Sequence, residues 1–284
     1  MRSQVVLITG CSSGFGWLTA QLLAERGHMV YAGVRDLQAD RVKELKQLGG
    51  AQIELVVLDV TKQKEVDAAV QTVLRKSGRL DVLINNAGFG FLGPVEDFTV
   101  EEAKEQFEVN VFGVLRMIKA VMPQLRQQRS GTIINLSSVL GKVPFPLYGV
   151  YSATKHAVEA LTEALYFEAK PFGVQVAMVE PGTFMTSFTK NKKVTAQTAD
   201  SVYAPLLEAF RSTIQRGKEH AKHGALAPLF DPLRVARLLV SLVESERPPL
   251  RSSIGVDTIS YFLVRKFFPL EVWFWGLRRM LRWG

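Results

Sequence analysis

Short apolar runs alternate with longer amphipathic stretches over most of the chain, and few folds accept such a pattern. Val5-Val6-Leu7-Ile8 is apolar at every position and is bounded by Gly10, as in a strand buried on both faces. A helical pattern follows from Phe15 to Arg26 and ends at Gly27. The pair then recurs. Strands are expected at 29–34, 53–58 and 82–84, with helices at 37–48, closed by Gly49-Gly50, and at 62–76, closed by Gly78. A long helical pattern runs from Thr99 to Gln127, where Pro123 is expected to kink or divide it. A strand at 132–136, a helix around Tyr151 and a strand at 174–179 complete the alternation. Strands separated by helices of this length predict βαβ units, a parallel sheet and right-handed crossovers that put helices on both faces.

The alternation breaks after Gly182. From Thr183 to Pro232 no clear strand is visible and the start is polar, with Lys190-Asn191-Lys192-Lys193, so 183–232 is expected to be a substrate loop or lid. Leu233 to Val243 is helical again, and Arg251 to Val256 reads as a last strand. No repeat, low-complexity tract or linker divides the chain, and one domain over 1–284 is the economical expectation. Hydrophobic residues make up 47% and charged residues 22%, which excludes long disorder. The net charge is +8, but Lys and Arg are scattered, which argues against a nucleic-acid-binding stripe and leaves an anionic cofactor or a membrane surface. Cys11 is the one cysteine, so no intramolecular disulfide forms and a reducing, cytoplasmic setting is expected. The start shows no signal-peptide pattern, and no run of eighteen apolar residues is present.

Two motifs carry chemistry. Thr9-Gly10-Cys11-Ser12-Ser13-Gly14-Phe15-Gly16 joins the first strand to the first helix. Glycines there permit a tight turn and let a pyrophosphate approach backbone, and the helix N-terminus adds N–H groups and a positive dipole end. The second motif is Tyr151 with Lys155, four apart on a helix of about five turns, hence on one face. A cation about 4 Å from a phenol, at an effective dielectric of about 20, favours the phenolate by roughly 4 kcal/mol. Burial opposes that, yet the pair is expected to bring Tyr151 toward working pH. Taken alone, the spacing equally describes an amphipathic helix face. His220 and His223 have no metal-ligand set around them, and no metal site is expected.

The turn is spaced G-x-x-x-G-x-G. Together with Asn85-Asn86-Ala87-Gly88, Asn110, Ser138, Tyr151-x-x-x-Lys155 and Pro181-Gly182, in that order, it resembles the single-domain members of the short-chain dehydrogenase/reductase family, over Val5 to Thr186. The segments 9–14, 35–37 and 148–155 look like the branch that holds 17β-hydroxysteroid and retinol dehydrogenases. The resemblance implies a Rossmann-type doubly wound α/β sheet of about seven strands with a C-terminal helical segment covering the substrate. It implies catalytic residues Asn110, Ser138, Tyr151 and Lys155. Tyr151 would be the acid or base, Lys155 would lower its pKa and bond the nicotinamide ribose, and Ser138 would polarise the substrate oxygen. Asn110 would hold a water linking Lys155 to solvent, although an Asn in a helix often only bonds a nearby carbonyl. The nucleotide would meet Thr9, Gly10, Ser12, Ser13, Gly14, Phe15 and Gly16 at the turn. Asp59 and Val60 would meet the adenine, Asn86, Ala87 and Gly88 the adenosine side, and Pro181, Gly182 and Thr186 the nicotinamide.

At the end of the second strand a carboxylate favours NAD and an arginine NADP. The chain reads Val34-Arg35-Asp36, so Arg35 predicts NADP(H), with NAD(H) kept open by Asp36. Phe145, Tyr148 and Phe184, with Ser138 and Tyr151, are the expected substrate contacts, and Met185, Phe188, Tyr203 and Phe210 add to an apolar surround. The expected substrate is a hydrophobic alcohol or ketone such as a steroid, a retinoid or a long-chain lipid. The alternatives are a small non-lipid carbonyl substrate, a cofactor-sensing protein without turnover, and a sugar-nucleotide epimerase, for which the chain has little room. In the tail, 261–284, Leu270, Phe274, Leu277 and Leu281 form one helical stripe and Arg278 and Arg282 another, beside Trp273, Trp275 and Trp283. That pattern fits packing over the pocket, a partner subunit or a membrane interface. A homodimer or homotetramer follows from the family analogy.

Overall fold

The computed structural model describes residues 2–186, 193–195, 201–223 and 227–281. Seven strands form one parallel sheet: β1 (Val5–Ile8), β2 (Met29–Val34), β3 (Ile53–Val57), β4 (Val82–Asn85), β6 (Gly131–Leu136), β7 (Val174–Pro181) and β9 (Arg251–Ile254). Their order is β3-β2-β1-β4-β6-β7-β9. The direction of winding reverses between β1 and β4, and a crevice opens there beyond the C-terminal strand ends. Pleating sorts each apolar run between two layers. Val6, Ile8, Val82, Ile84, Ile134 and Val179 pack on one face, with Trp17 and Leu23 of α1 (Gly14–Glu25), α2 (Asp40–Gly49) and α8 (Leu233–Val243). Val5, Leu7, Leu83, Ile133 and Val176 pack on the other, against α3 (Gln63–Ser77), α5 (Gly113–Gln128) and α6 (Gly149–Ala169). The runs are apolar throughout because both faces are covered. The architecture is the doubly wound α/β fold expected from the alternation.

The long helical pattern is divided, but not at Pro123. It breaks into α4 (Val100–Phe107), a π-helical turn over Glu108–Phe112, and α5, which runs through Pro123. Pro123 and Lys119, whose carbonyl loses its partner, both lie on the exposed side, where water can take the freed oxygen. The widened turn instead falls at Asn110, which it places under the β4 loop.

Among its described residues, the segment 183–232 has more regular structure than the polar start suggested. It contains β8 (Lys193–Val194), which pairs with an unexpected short strand, β5 (Phe91–Leu92). It also contains α7 (Ala204–His223), whose Leu206, Leu207, Phe210 and Ile214 recur at helical spacing and turn inward. Phe188, 190–192 and the 282–284 end lie outside the described residues, as do the side chains of His220 and His223. The tail forms α9 (Val256–Phe267) and α10 (Leu270–Leu281). Its buried seam is Trp273, Leu277 and Leu281 rather than the expected stripe, because Leu270 and Phe274 are exposed. Among the described residues no helix is long and apolar enough to cross a membrane, and no group of residues is placed to hold a metal ion.

Candidate active site

The loops after β1 and β4 are tied together at the crevice. Thr9, buried, accepts on Oγ1 from the N–H groups of Asn86 (3.0 Å) and Ala87 (2.9 Å). Asn86 Nδ2 returns bonds to the carbonyls of Thr9 (2.8 Å) and Gly10 (3.0 Å). Gly10 has φ +73°, and a Cβ there would lie 2.8 Å from Ala87 Cα; a Cβ at Gly16 would collide with Asn86. Asn86, expected on the adenosine side, thus spends its amide on holding the turn. Gly14 also lies in the left-handed region, at φ +61°. Ser13 precedes α1 without a side-chain cap, and the first turn carries no acid. The N–H groups of α1 therefore face the crevice as an anion-binding end, and this backbone fits the pyrophosphate of a dinucleotide.

The other nucleotide-side residues surround this turn. Ser12 lies in it, and Phe15 meets Phe184 edge-on at 5.9 Å between ring centroids. Phe184 therefore packs on the turn side, with Cys11 and Trp17, and not with the pocket aromatics it was grouped with. Thr186 comes within reach of Gly14, 3.9 Å from the position of a Cβ there. Pro181 ends β7, and Gly182 donates its N–H to Ile254 O at 2.8 Å. Arg35 is exposed just past β2 and makes no hydrogen bond among the described residues, whereas Asp36 Oδ1 closes its own turn on Gln38 N (2.8 Å). Asp59 accepts from Thr61 N (3.0 Å) and Thr61 Oγ1 (2.8 Å). Burial pushes its carboxyl up, but those bonds with the Lys62 and Arg35 charges outweigh it and hold the pKa below the usual range. Val60 is buried beside Gly113.

Tyr151 and Lys155 share the inward face of α6. A polar chain fixes that helix to the sheet: Asn85 Nδ2 donates to Asn135 (2.8 Å), and Asn135 Nδ2 donates to Thr162 Oγ1 (2.9 Å). Ser138, just beyond β6, donates to Pro181 O (3.5 Å) and accepts from Leu140 N (3.2 Å), and its hydroxyl acts on the Tyr151 phenol, while Ser137 faces the Glu159 carboxylate. Lys155 Nζ donates to Leu136 O at 2.8 Å and lies 5.8 Å from the Tyr151 ring centroid. Burial pulls Lys155 down to about 8, with the Glu159 charge opposing. The expected lowering at Tyr151 is not found. Burial pushes the phenol up, and the nearby Ser138 hydroxyl offsets only part of that. The ammonium is held on a backbone carbonyl rather than on the phenol, so desolvation dominates.

Asn110 is fully engaged. Its amide donates to Phe89 O (2.9 Å) and Thr154 Oγ1 (3.1 Å), and its Oδ1 accepts from Phe89 N (3.1 Å). The carbonyl it bonds belongs to the β4 loop, 21 residues away, and not to its own helix. Thr154 was missed in the sequence. It sits one residue before Lys155, and its partner is visible only once the π-helical turn brings Asn110 to α6. Gly88 permits the approach, since a Cβ there would be 3.2 Å from Asn110 Oδ1.

Beyond Tyr151 the walls are apolar. Tyr148 meets Tyr151 at 6.0 Å and Phe210 at 5.8 Å, and Phe145 meets Phe210 at 6.2 Å. Leu92, Leu147, Leu207 and Leu281 complete the cluster, so α7 and α10 both close on it. Leu147 holds a left-handed backbone, φ 66°, which costs a non-glycine residue roughly 1–2 kcal/mol. That turn delivers Tyr148 and α6 to the pocket.

Comparison with known proteins agrees with this geometry. The short chain dehydrogenase family model matches residues 4–197. The chain is 39% identical over 256 residues to a 3-ketodihydrosphingosine reductase of Bacteroides thetaiotaomicron, covering 90% of this chain and 89% of that one. It superposes on a short-chain dehydrogenase from Streptomyces avermitilis with TM-score 0.80 at 33% identity, covering 93% and 92% of the two chains. It also superposes on an alcohol dehydrogenase from Thermococcus sibiricus in complex with 5-hydroxy-NADP, with TM-score 0.70 at 26% identity, covering 89% and 97%. The chain belongs to the short-chain dehydrogenase/reductase family and is an NAD(P)-dependent oxidoreductase.

Proposed function

We propose that the protein is an NADP(H)-dependent oxidoreductase of hydrophobic ketones and alcohols, with Tyr151 as the proton donor to the substrate oxygen. The observation that carries this is the meeting of Ser138, just beyond β6, with the buried Tyr151 phenol, whose pKa the Ser138 hydroxyl pulls down, beside an apolar cluster and with a buried ammonium on the same helix face. A phenol held protonated by burial suits reduction, because it can give its proton to an oxygen that is becoming an alkoxide. Ser138 would bond the same oxygen, and the Lys155 charge would stabilise the tyrosinate left behind. Asn110 and Thr154 would act on position, keeping the β4 loop against α6. A bound nicotinamide supplies the hydride in this chemistry.

Arg35 supports NADP(H) over NAD(H), since its guanidinium is exposed at the sheet edge while the neighbouring Asp36 is occupied by its own turn. The apolar lining, and the keto-sphingoid named for the Bacteroides relative, support a long-chain ketone over a small polar one. A dimer or tetramer is proposed on the family analogy, and sedimentation would measure it.

The test is NADPH absorbance across a panel running from small polar ketones to long-chain and polycyclic ones, with Tyr151→Phe as control. Turnover of the apolar members, lost in Tyr151→Phe, is the expected result. Turnover confined to small polar ketones would overturn the substrate class. Tighter binding of NAD than NADP, unchanged by Arg35→Ala, would overturn the cofactor preference.

A further inference from the structure

The helices α9 and α10 carry an apolar surface that nothing among the described residues covers. Leu263, Phe267, Phe268, Leu270, Phe274 and Trp275 are exposed, Phe267 at 67% and Trp275 at 62%. Leu263 and Phe267 stand one turn apart on α9, and Trp275 lies opposite the buried Trp273, Leu277 and Leu281 seam of α10. Isolated exposed apolar residues are ordinary, but a run of large ones on two successive helices marks an interaction surface.

The charge around the patch points to the occupant. Lys266, Arg278 and Arg279 are exposed within it. Lys266 Nζ lies 5.5 Å from the Phe267 ring centroid and Arg279 Cζ 5.6 Å from that of Trp275, so cations and aromatics are interleaved. Of the two acids on these helices, Asp257 is turned inward on Thr183, whose N–H (2.9 Å) and hydroxyl (2.6 Å) it accepts, and Glu271 is left outside. A second copy of the chain set on this patch would bring like charges together. An anionic lipid surface would meet both features, with acyl chains under the aromatics and headgroups on the cations.

We propose that the α9–α10 hairpin docks the enzyme on an anionic lipid surface. The inner side of the docked helix is pocket wall. Leu281 packs in the cluster with Tyr148 and Tyr151, while Trp273 and Leu277 pack on Val143 and Phe145. Docking would therefore seat the pocket wall on the bilayer. Its use in delivering substrate rests on the apolar-substrate reading above, but the docking itself does not.

Flotation of the full chain with vesicles tests it, comparing phosphatidylcholine alone with equal parts phosphatidylcholine and phosphatidylglycerol. Wild type should float with the anionic vesicles and far less with the neutral ones. The double variants Phe267→Ser/Trp275→Ser and Arg278→Glu/Arg279→Glu should each bind at least about tenfold more weakly. Phe167→Ser, exposed on α6 away from the patch, should bind as wild type does. Failure of wild type to float with either vesicle would overturn the proposal. So would flotation unaffected by both double variants, or variants that change the size of an oligomer and not flotation, since the patch would then serve a second copy. Flotation as expected with no apolar ketone reduced in the panel would leave docking standing and remove the substrate class; the converse would do the reverse.

Discussion

Lys155 sets the energetics at the scale of single residues. Its ammonium is buried and its pKa falls from 10.5 to about 8, so at neutral pH the folded state holds a charge that burial disfavours. A depression of that size corresponds to roughly 3 kcal/mol, of which the bond to Leu136 O recovers about 1. Lys155→Met is expected to raise stability by about 2 kcal/mol at pH 7 in urea denaturation while abolishing turnover. The pH dependence carries the sign. The unfolded chain keeps the proton up to about 10.5 and the folded chain only to about 8. Wild-type stability should therefore climb between those values, where the unfolded state binds more protons, and the climb should be absent in the variant. For reduction, kcat/KM should fall above about pH 8 as Lys155 loses its charge, and Tyr151→Phe would be inactive throughout.

At the scale of elements, α4 and the π-helical turn place Asn110, and α4 begins on a reciprocal cap. Thr99 Oγ1 accepts from Glu102 N (3.1 Å), and Thr99 N donates to Glu102 Oε2 (3.0 Å). Thr99→Ala should cost about 1 kcal/mol by chemical denaturation. The cap pattern is written in the sequence as Thr99-x-x-Glu102, but the π-helical turn is not, because it depends on Phe89 reaching across from the β4 loop. Likewise Pro123 looked like the break. Only the fold reveals that Lys119 and Pro123 lie on the exposed side, where the helix can continue.

At the scale of the whole molecule, the C-terminal part is locked to the sheet by charge. Arg251, opening β9, pairs with Glu159 and Glu163 of α6 and with the fully buried Glu180 of β7, which also takes Lys142 at 3.1 Å. Burial pushes the Glu159 carboxyl up, and the Glu180 charge pushes it further. Arg251→Met would leave Glu159 without its cation and Glu180 with Lys142 alone, at a cost of about 3 kcal/mol at pH 7. Because the folded pKa of Glu159 is raised, this loss should shrink as pH falls through it toward the unfolded value of 4.5. Thermal melts of wild type and variant at pH 7 and pH 5 would measure the difference.

The period of the apolar runs and the punctuation by Gly10, Gly27, Gly49, Gly50 and Gly78 determined the strands, the helices and the doubly wound sheet, since both signals are local and each repeats. The motif spacing likewise marked the crevice residues. What lay beyond the sequence were quantities that depend on what stands opposite a residue. Tertiary packing desolvated Tyr151 and held Lys155 on Leu136 O, which reversed the expected direction of the phenol pKa. It also moved Phe184 to the glycine turn and made Trp273, not Phe274, the inward side of α10. Spacing along a chain gives the face of a helix, but burial and partner distances arise only when distant segments meet.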